Sequence, residues 1–527
     1  MIIMKRKVIS LISLLLIFSM IQSNFSISYT SINRDFEINN YVTKEIPTYK
    51  KVVFVTWDGV REKWFEELTA DNTLGNASKV IQSGHLQKVR ITTHITSTDP
   101  GLSTMETGYG DAIHGISANQ FGPGSPKLSI PDGLTTTERL KASFGDSIKT
   151  GMFLPWSFHQ INEDYMMQEG NYTDSIFEKI KIGKDVDYWF ASENLSWTPD
   201  DNESIRAIYE GYDTDNHGFH PDVGLFSDPL LKSSYLAEQI TKFLDLYADD
   251  SFYIRTHFTE PDTVGHGYFE SKDGIITPEY KTALIQCDEA VGIILNKLEE
   301  EGILDDTLVI VGTDHGFFKE SHDGEPWPNG KLAVTQQVFA ISKSDVKTSQ
   351  DIAIAQKDIS PTILSVLGVD ISSLSPAYTG KDETGIPIWD KVDNEAPKLI
   401  KVQYQLETQY IPRDFENGSK INEPFDLYLQ INEWSDIKAV SMKTEDNKVI
   451  DPSSISNTQI LWEKLDKSIL GGGSHSLVIT ITDEFDLTTQ ITVNINAGGV
   501  SFNWFYSIIA LTLIAAPLLL KKYRKDI

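Results

Sequence analysis

At 527 residues and a formal net charge of −29, the chain is too long for one ordinary hydrophobic core and too acidic to displace counterions from a nucleic-acid polymer. A hydrophobic content of 40% with 10% aromatic residues excludes a mainly disordered chain, and a single cysteine, Cys287, excludes an intrachain disulfide. An anionic substrate would meet a repulsive surface unless bound divalent cations reverse the field locally.

The chain opens with Lys5, Arg6 and Lys7, continues in an apolar run from Val8 to Ile21, and leaves it through small and polar residues from Gln22 to Ser28. That succession predicts a signal peptide over 1–28 and an exported protein.

From 49 to 392, short runs rich in Val, Ile and Phe alternate with helical stretches. Lys51–Trp57, Ser251–Phe258 and Thr307–Thr313 read as strands buried on both faces. Between the last two, Thr277 can cap a helix and Pro278 suits its first turn. Tyr280, Ala283, Leu284, Cys287, Val291, Ile294, Leu295 and Leu298 carry the apolar face until Gly302. Cys287 on that face is expected to be structural. A strand–helix–strand unit implies an α/β sheet with helices on both faces, and in such sheets sites gather at the carboxyl ends of strands.

The reactive residues fall at those ends. Asp58 closes the first strand in Trp57-Asp58-Gly59, where the plain alternative is a turn. Thr98, before Asp99-Pro100-Gly101, reads as a helix N-cap, and a hydroxyl there sits among free N–H groups. Asp262 and His266, four apart, follow the second strand, and Asp314, His315 and His322 follow the third. Carboxylate and imidazole groups at such separations can reach one cation.

Beyond Pro397 the pattern changes to alternation, as in Leu427, Leu429 and Ile431, or Ile491, Val493 and Ile495, which predicts an all-β sandwich over 395–497. The apolar run from Trp504 to Leu520, followed by Lys521, Lys522, Arg524 and Lys525, predicts a transmembrane helix over 503–520 and a cytoplasmic tail over 521–527. The expected location is therefore the cell membrane, with the body of the protein outside.

The segments WDG, TDPG followed by TG and HGI, EPDTVGH and DHG, in that order, resemble the alkaline phosphatase superfamily, and within it the type I phosphodiesterase and nucleotide pyrophosphatase branch. The resemblance spans about Lys50 to Trp389 and includes DISPTILSVLG at 358–368, similar to a structural helix of the superfamily. It implies an alkaline-phosphatase-like sheet and two divalent metal ions, with zinc best suited and manganese an alternative. One ion would be held by Asp58, Thr98, Asp314 and His315, the other by Asp262, His266 and His322, with His217 and His220 competing for the last place. Thr98 would be the nucleophile, forming a phospho-threonine from a small phosphate ester, and Asn119 in HGISANQF would bind phosphate. Asp99 and Gly101 stand where that branch usually has an aromatic residue and Asn, so base stacking is not implied. Mutases and phosphoethanolamine transferases share the metal core, and an inactive surface-binding protein would share the fold. Sulfatases need a Cys or Ser convertible to formylglycine, which Thr98 is not. ITDEFDLTTQITVNI, at 481–495, resembles the last hairpin of Ig-like surface modules.

Overall fold

The computed structural model describes residues 47–119, 130–154, 188–191, 233–268, 275–318, 321–322, 324–393, 396–406, 412–414, 424–456, 459–470, 473–497 and 512–513. The expected signal peptide, His217 and His220 lie outside these residues, as does the apolar C-terminal run apart from its two residues at 512–513.

The centre is an eight-stranded sheet in the order β4-β3-β5-β1-β6-β7-β2-β8. Its strands are β1 Lys51–Trp57, β2 His85–Arg90, β3 Ile148–Leu154, β4 Tyr188–Ala191, β5 Ser251–Phe258, β6 Thr307–Thr313, β7 Gln336–Ile341 and β8 Ile354–Ala355. The pairs from β4 through to β6 are parallel, while β7 runs against both β6 and β2. The three strands expected from sequence are β1, β5 and β6, side by side at the middle.

Alternate residues of β1 serve two cores. Val53, Val55 and Trp57 join one with α1 (Glu62–Ala70), α2 (Gly75–Ser83), α5 (Ser233–Tyr247) and α7 (Pro278–Glu300). Val52 and Phe54 join the other with α3 (Thr98–Thr107), α4 (Thr136–Phe144) and α8 (Ile359–Val366). Between β5 and α7 the chain forms α6 (Glu260–Tyr268). A strand covered on both faces must be apolar throughout, which is why these strands read as unbroken hydrophobic runs. The helix expected from Thr277 is α7, with the Thr277 hydroxyl accepting from the Tyr280 N–H at 3.3 Å and Pro278 in the first turn.

The C-terminal part is all-β. One five-stranded sheet, β10-β9-β11-β15-β14, is built from β9 Lys398–Leu406, β10 Arg413–Asp414, β11 Phe425–Asn432, β14 Ser454–Ile455 and β15 Gln459–Leu465. The other, β13-β12-β16-β17-β18, is built from β12 Ile437–Lys443, β13 Val449–Ile450, β16 Gly473–Asp483, β17 Thr488–Ala497 and β18 Thr512–Leu513. Their facing residues, among them Leu427, Leu429 and Trp462 against Leu477, Ile479 and Ile491, form one core.

The C-terminal run differs from expectation where it is described. Thr512 and Leu513 are extended and pair antiparallel with Gln490 and Thr489 of β17. Among the described residues no helix is long and apolar enough to cross a membrane.

Candidate active site

Strand register builds the first half of the site. Trp57 of β1 lies opposite Phe258 of β5 and Thr313 of β6, so the chain leaves the sheet at one level on all three central strands. Asp58 and Asp314, the next residues, become neighbours and together with His315 form a buried group whose ligand atoms lie within 4.8 Å of one another. Gly59 turns the chain between them at φ +63°, and its N–H donates to Asp314 Oδ1 at 3.1 Å. A Cβ at Gly59 would stand 2.9 Å from Asp262 Oδ1, so glycine is required by both conformation and space.

The second group comes from helical spacing and a loop. Asp262 and His266 lie one turn apart on α6, with His266 Nε2 3.3 Å from Asp262 Oδ2. His322 Nε2 reaches Asp262 Oδ1 at 3.4 Å, and its Nδ1 is 2.9 Å from the Thr96 carbonyl. These three are again within 4.8 Å of one another. His315 and His322 stack at 4.0 Å and 18°, which places the two groups side by side. His266 is exposed, so the second group opens to solvent while the first is enclosed.

Thr98 joins the first group. Its hydroxyl lies 3.4 Å from Asp58 Oδ1 and 3.2 Å from His315 Nε2. The expectation that it caps its helix needs correction. Ser97 occupies the N-cap position in extended conformation, Thr98 is the first helical residue, and neither side chain makes a capping hydrogen bond. The hydroxyl faces the acidic group instead. Asn119, the expected phosphate-binding residue, accepts from the Asp99 N–H through Oδ1 at 2.8 Å, which fixes it beside the first turn of α3.

Three carboxylates converge here with imidazoles in a nearly dry place. Burial and then the charge of Asp58 push the Asp314 carboxyl well above its usual range. Burial opposes a charge on His315, yet Asp314 and Asp58 outweigh it and hold the ring up to about 10. Burial and His315 push His322 down, which keeps its nitrogen available as a ligand. Asp314 Oδ2 and Asp262 Oδ1 are buried and accept no hydrogen bond from the described residues. Orphaned carboxylate oxygens among imidazoles are what divalent cations such as zinc satisfy, so the residues present fit a metal centre.

Sequence reasoning passed over His257. It is fully buried on β5, with Nε2 3.2 Å from Asp58 Oδ2 and Nδ1 2.8 Å from the Thr56 hydroxyl. Arg255 Nη1 donates to that same hydroxyl at 2.9 Å. With the proton on Nε2, the ring donates to Asp58 and accepts from Thr56, which orients the carboxylate from behind. The signal was present: an Arg and a His inside the otherwise apolar FYIRTHF cannot be buried without partners.

The type I phosphodiesterase / nucleotide pyrophosphatase family matches residues 52–357, more than half of the chain. The chain belongs to that family. This type I phosphodiesterase family member is 24% identical over 138 residues to the bis(5'-adenosyl)-triphosphatase enpp4 of Xenopus laevis, covering 26% of this chain and 30% of the relative. It is 26% identical over 181 residues to an N-acetylglucosamine-6-O-sulfatase of Bacteroides thetaiotaomicron, covering 31% of this chain and 30% of the relative. The chain thus spans under a third of the length of either relative. Among solved structures, a phosphonate monoester hydrolase from Silicibacter pomeroyi overlaps 86% of this chain and 90% of its own, with 13% identity and a TM-score of 0.39.

Proposed function

We propose that this family member is a metal-dependent phosphate-ester hydrolase of the phosphodiesterase or pyrophosphatase type, acting through a phospho-threonine at Thr98. The observation that carries the reading is the Thr98 hydroxyl, turned away from helix capping and onto Asp58 and His315. Asp58, Asp314, His315 and Thr98 would hold one cation and Asp262, His266 and His322 the other, with zinc best suited to these donors. Cations held there would lower the hydroxyl pKa and offset charge on the departing oxygen.

The chain's own residues do the rest. Thr98 Oγ1 attacks phosphorus in line, its proton passing toward Asp58, the carboxylate within reach. The P–O bond to the alcohol breaks, leaving a phospho-threonine that water then cleaves, returning Thr98 and releasing the monoester. Because Asn119 Oδ1 is engaged by the Asp99 N–H, its NH2 group is the part able to donate to a phosphoryl oxygen. The positive end of α3 favours the same negative charge. His257 keeps Asp58 oriented throughout.

The basic and apolar opening of the chain supports a location outside the cell membrane, with the all-β part as a spacer. Fractionation of cells expressing the full chain tests this: membrane or medium agrees, and retention in the cytosol contradicts it.

The direct experiment compares bis(p-nitrophenyl) phosphate, p-nitrophenyl phosphate and p-nitrophenyl sulfate with zinc-loaded protein. Diester turnover that chelation abolishes and zinc restores is expected. Preference for the sulfate ester, or diester turnover indifferent to chelation, would reject the proposal.

A further inference from the structure

A second set of buried acids lies away from the active site, where the α/β domain meets the sandwich. Asp393 sits in the segment that leads from the last helical turn of the α/β domain, Ile388–Asp390, to β9. Glu433 directly follows β11 of one sandwich sheet, and Asp483 is the last residue of β16 in the other. Their exposures are 6%, 2% and 0%, and one carboxylate oxygen from each lies within 4.8 Å of the others.

The backbone donors use only one side of each sandwich carboxylate. Glu433 Oε1 accepts from the Trp434 N–H at 2.7 Å and from the Ser435 N–H and hydroxyl, both at 3.0 Å. Asp483 Oδ1 accepts from the Phe485 N–H at 2.9 Å and the Leu487 N–H at 2.8 Å. Its Oδ2 is wholly buried and accepts no hydrogen bond from the described residues. Backbone donors thus fix both carboxylates; Glu433 also shares a side-chain hydrogen bond with Asp393, while the second oxygen of Asp483 is left over among the described residues, and a buried charge with an unused oxygen is costly.

The buried cation of this seam meets that need only in part, since Arg90 acts on Glu433 and Asp393 through its charge and not through a hydrogen bond to either carboxylate. Arg90 lies over the Trp327 ring at 4.4 Å and donates through Nη1 to the main-chain carbonyl of Glu433, not to a carboxylate. Among the described residues its Nε and Nη2 make no hydrogen bond.

We infer that Asp393, Glu433 and Asp483 form a structural site for a hard divalent cation of the calcium type, which ties the α/β domain to both sheets of the sandwich. The donors are all carboxylate oxygens with no imidazole or thiol, which favours calcium over zinc and separates this site from the active-site groups. Main-chain carbonyls and water complete the six to eight oxygens that calcium takes. The cation would hold a seam that already includes the Ala353 N–H to Trp434 carbonyl bond at 2.9 Å and the Trp327–Trp434 ring contact at 4.8 Å. The inference is independent of the chemistry at Thr98.

The test uses the full chain with its active-site metals saturated by zinc, then titrated with calcium alone. One further equivalent of calcium per chain should bind, and the unfolding temperature should rise with calcium concentration as linkage requires. Terbium in place of calcium should luminesce on tryptophan excitation, since Trp434 adjoins Glu433, and calcium should quench that signal. Asp483→Asn and, separately, Glu433→Gln should bind calcium about tenfold or more weakly, with diester turnover unchanged. Equal unfolding temperatures of the zinc-saturated parent with and without added calcium would overturn the site. So would parental calcium affinity in either variant. Should Asp483→Asn fail to fold, Glu433→Gln and the comparison of the zinc-saturated parent with and without added calcium still decide.

Discussion

The α/β domain and the sandwich bury their strands in opposite ways, and the contrast explains where chemistry collects. Every residue of β1 after Lys51 is buried, half toward each core, whereas β11 buries every second residue and leaves the others half-exposed. A doubly covered strand offers no room for a reactive side chain along its length except at a cost, so such groups appear where the chain leaves the sheet. Asp58 and Asp314 do so at the same level because β1 and β6 are in register. The sandwich follows the same logic on a smaller scale, with Glu433 and Asp483 at strand ends. Its acids lack imidazole partners and a nucleophile, so they offer a cation site and no reaction.

The contrast is tested most severely at Thr98. Thr98→Ala should lose several orders of magnitude in turnover while folding and retaining metal, because the nucleophile is gone and the other ligands remain. Thr98→Ser should keep substantial activity. Acid quenching after brief exposure to substrate should place phosphate on the peptide carrying Thr98. Diester turnover within a few-fold of the parent in folded, metal-loaded Thr98→Ala would return Thr98 to a structural role.

On the other side, Leu429 is fully buried in the sandwich core, on β11. Leu429→Ala should cost about 2–5 kcal/mol of stability, seen as a lower unfolding temperature, while the diester is turned over at the parental rate below that transition. A loss of turnover in the folded variant would show that the sandwich contributes to the active site, against the division drawn above.

His257 sharpens the comparison within the α/β domain, because it breaks the apolar rule of a central strand. His257→Ala should lose about 10–100-fold in turnover or metal affinity. The zinc content after dialysis against a weak chelator should fall with it, a readout that a merely packed residue would not move. His257→Gln, which can still donate toward Asp58, should recover part of both. Unchanged zinc retention in His257→Ala would remove its positioning role.

What could be read from the sequence follows the same division. β1, β5 and β6 declared themselves as unbroken apolar runs, and α7 through its Thr277-Pro278 start and its apolar face, because local pattern determines both. Asp58, Asp314 and Asp262 could be placed near one another from their positions after buried strands. The reversed direction of β7 could not, since pairing direction depends on which strands become neighbours. Sequence does not separate Thr98 from Ser97 as the cap, because either is an equally good one, and only the extended backbone at Ser97 decides between them. The Asp393, Glu433 and Asp483 group was out of reach for another reason. It joins residues forty and fifty apart whose meeting depends on how two sheets and a linker pack.

The smallest expected effect belongs to Cys287, the lone thiol in a domain full of metal-ligating chemistry. It lies wholly buried on α7, and burial followed by Glu260 pushes its thiol well above the ordinary range, so it is neither a nucleophile nor a thiolate ligand. Its Sγ is 3.7 Å from Glu260 Oε2, and Glu260 Oε1 in turn accepts from the Ser233 N–H at 2.5 Å, at the start of the helix that carries Asp262 and His266. Cys287→Ala removes one atom from the core and one weak donor from Glu260, which should cost about 1 kcal/mol of stability. Because Ser233 still holds Glu260, α6 should stay in place and turnover should remain at the parental level. The thiol of the parent should resist 5,5'-dithiobis(2-nitrobenzoate) until the protein unfolds. Loss of turnover in folded Cys287→Ala would mean that the thiol, through Glu260, sets the position of Asp262, and the boundary between core and site in this domain would then have to be drawn one layer deeper.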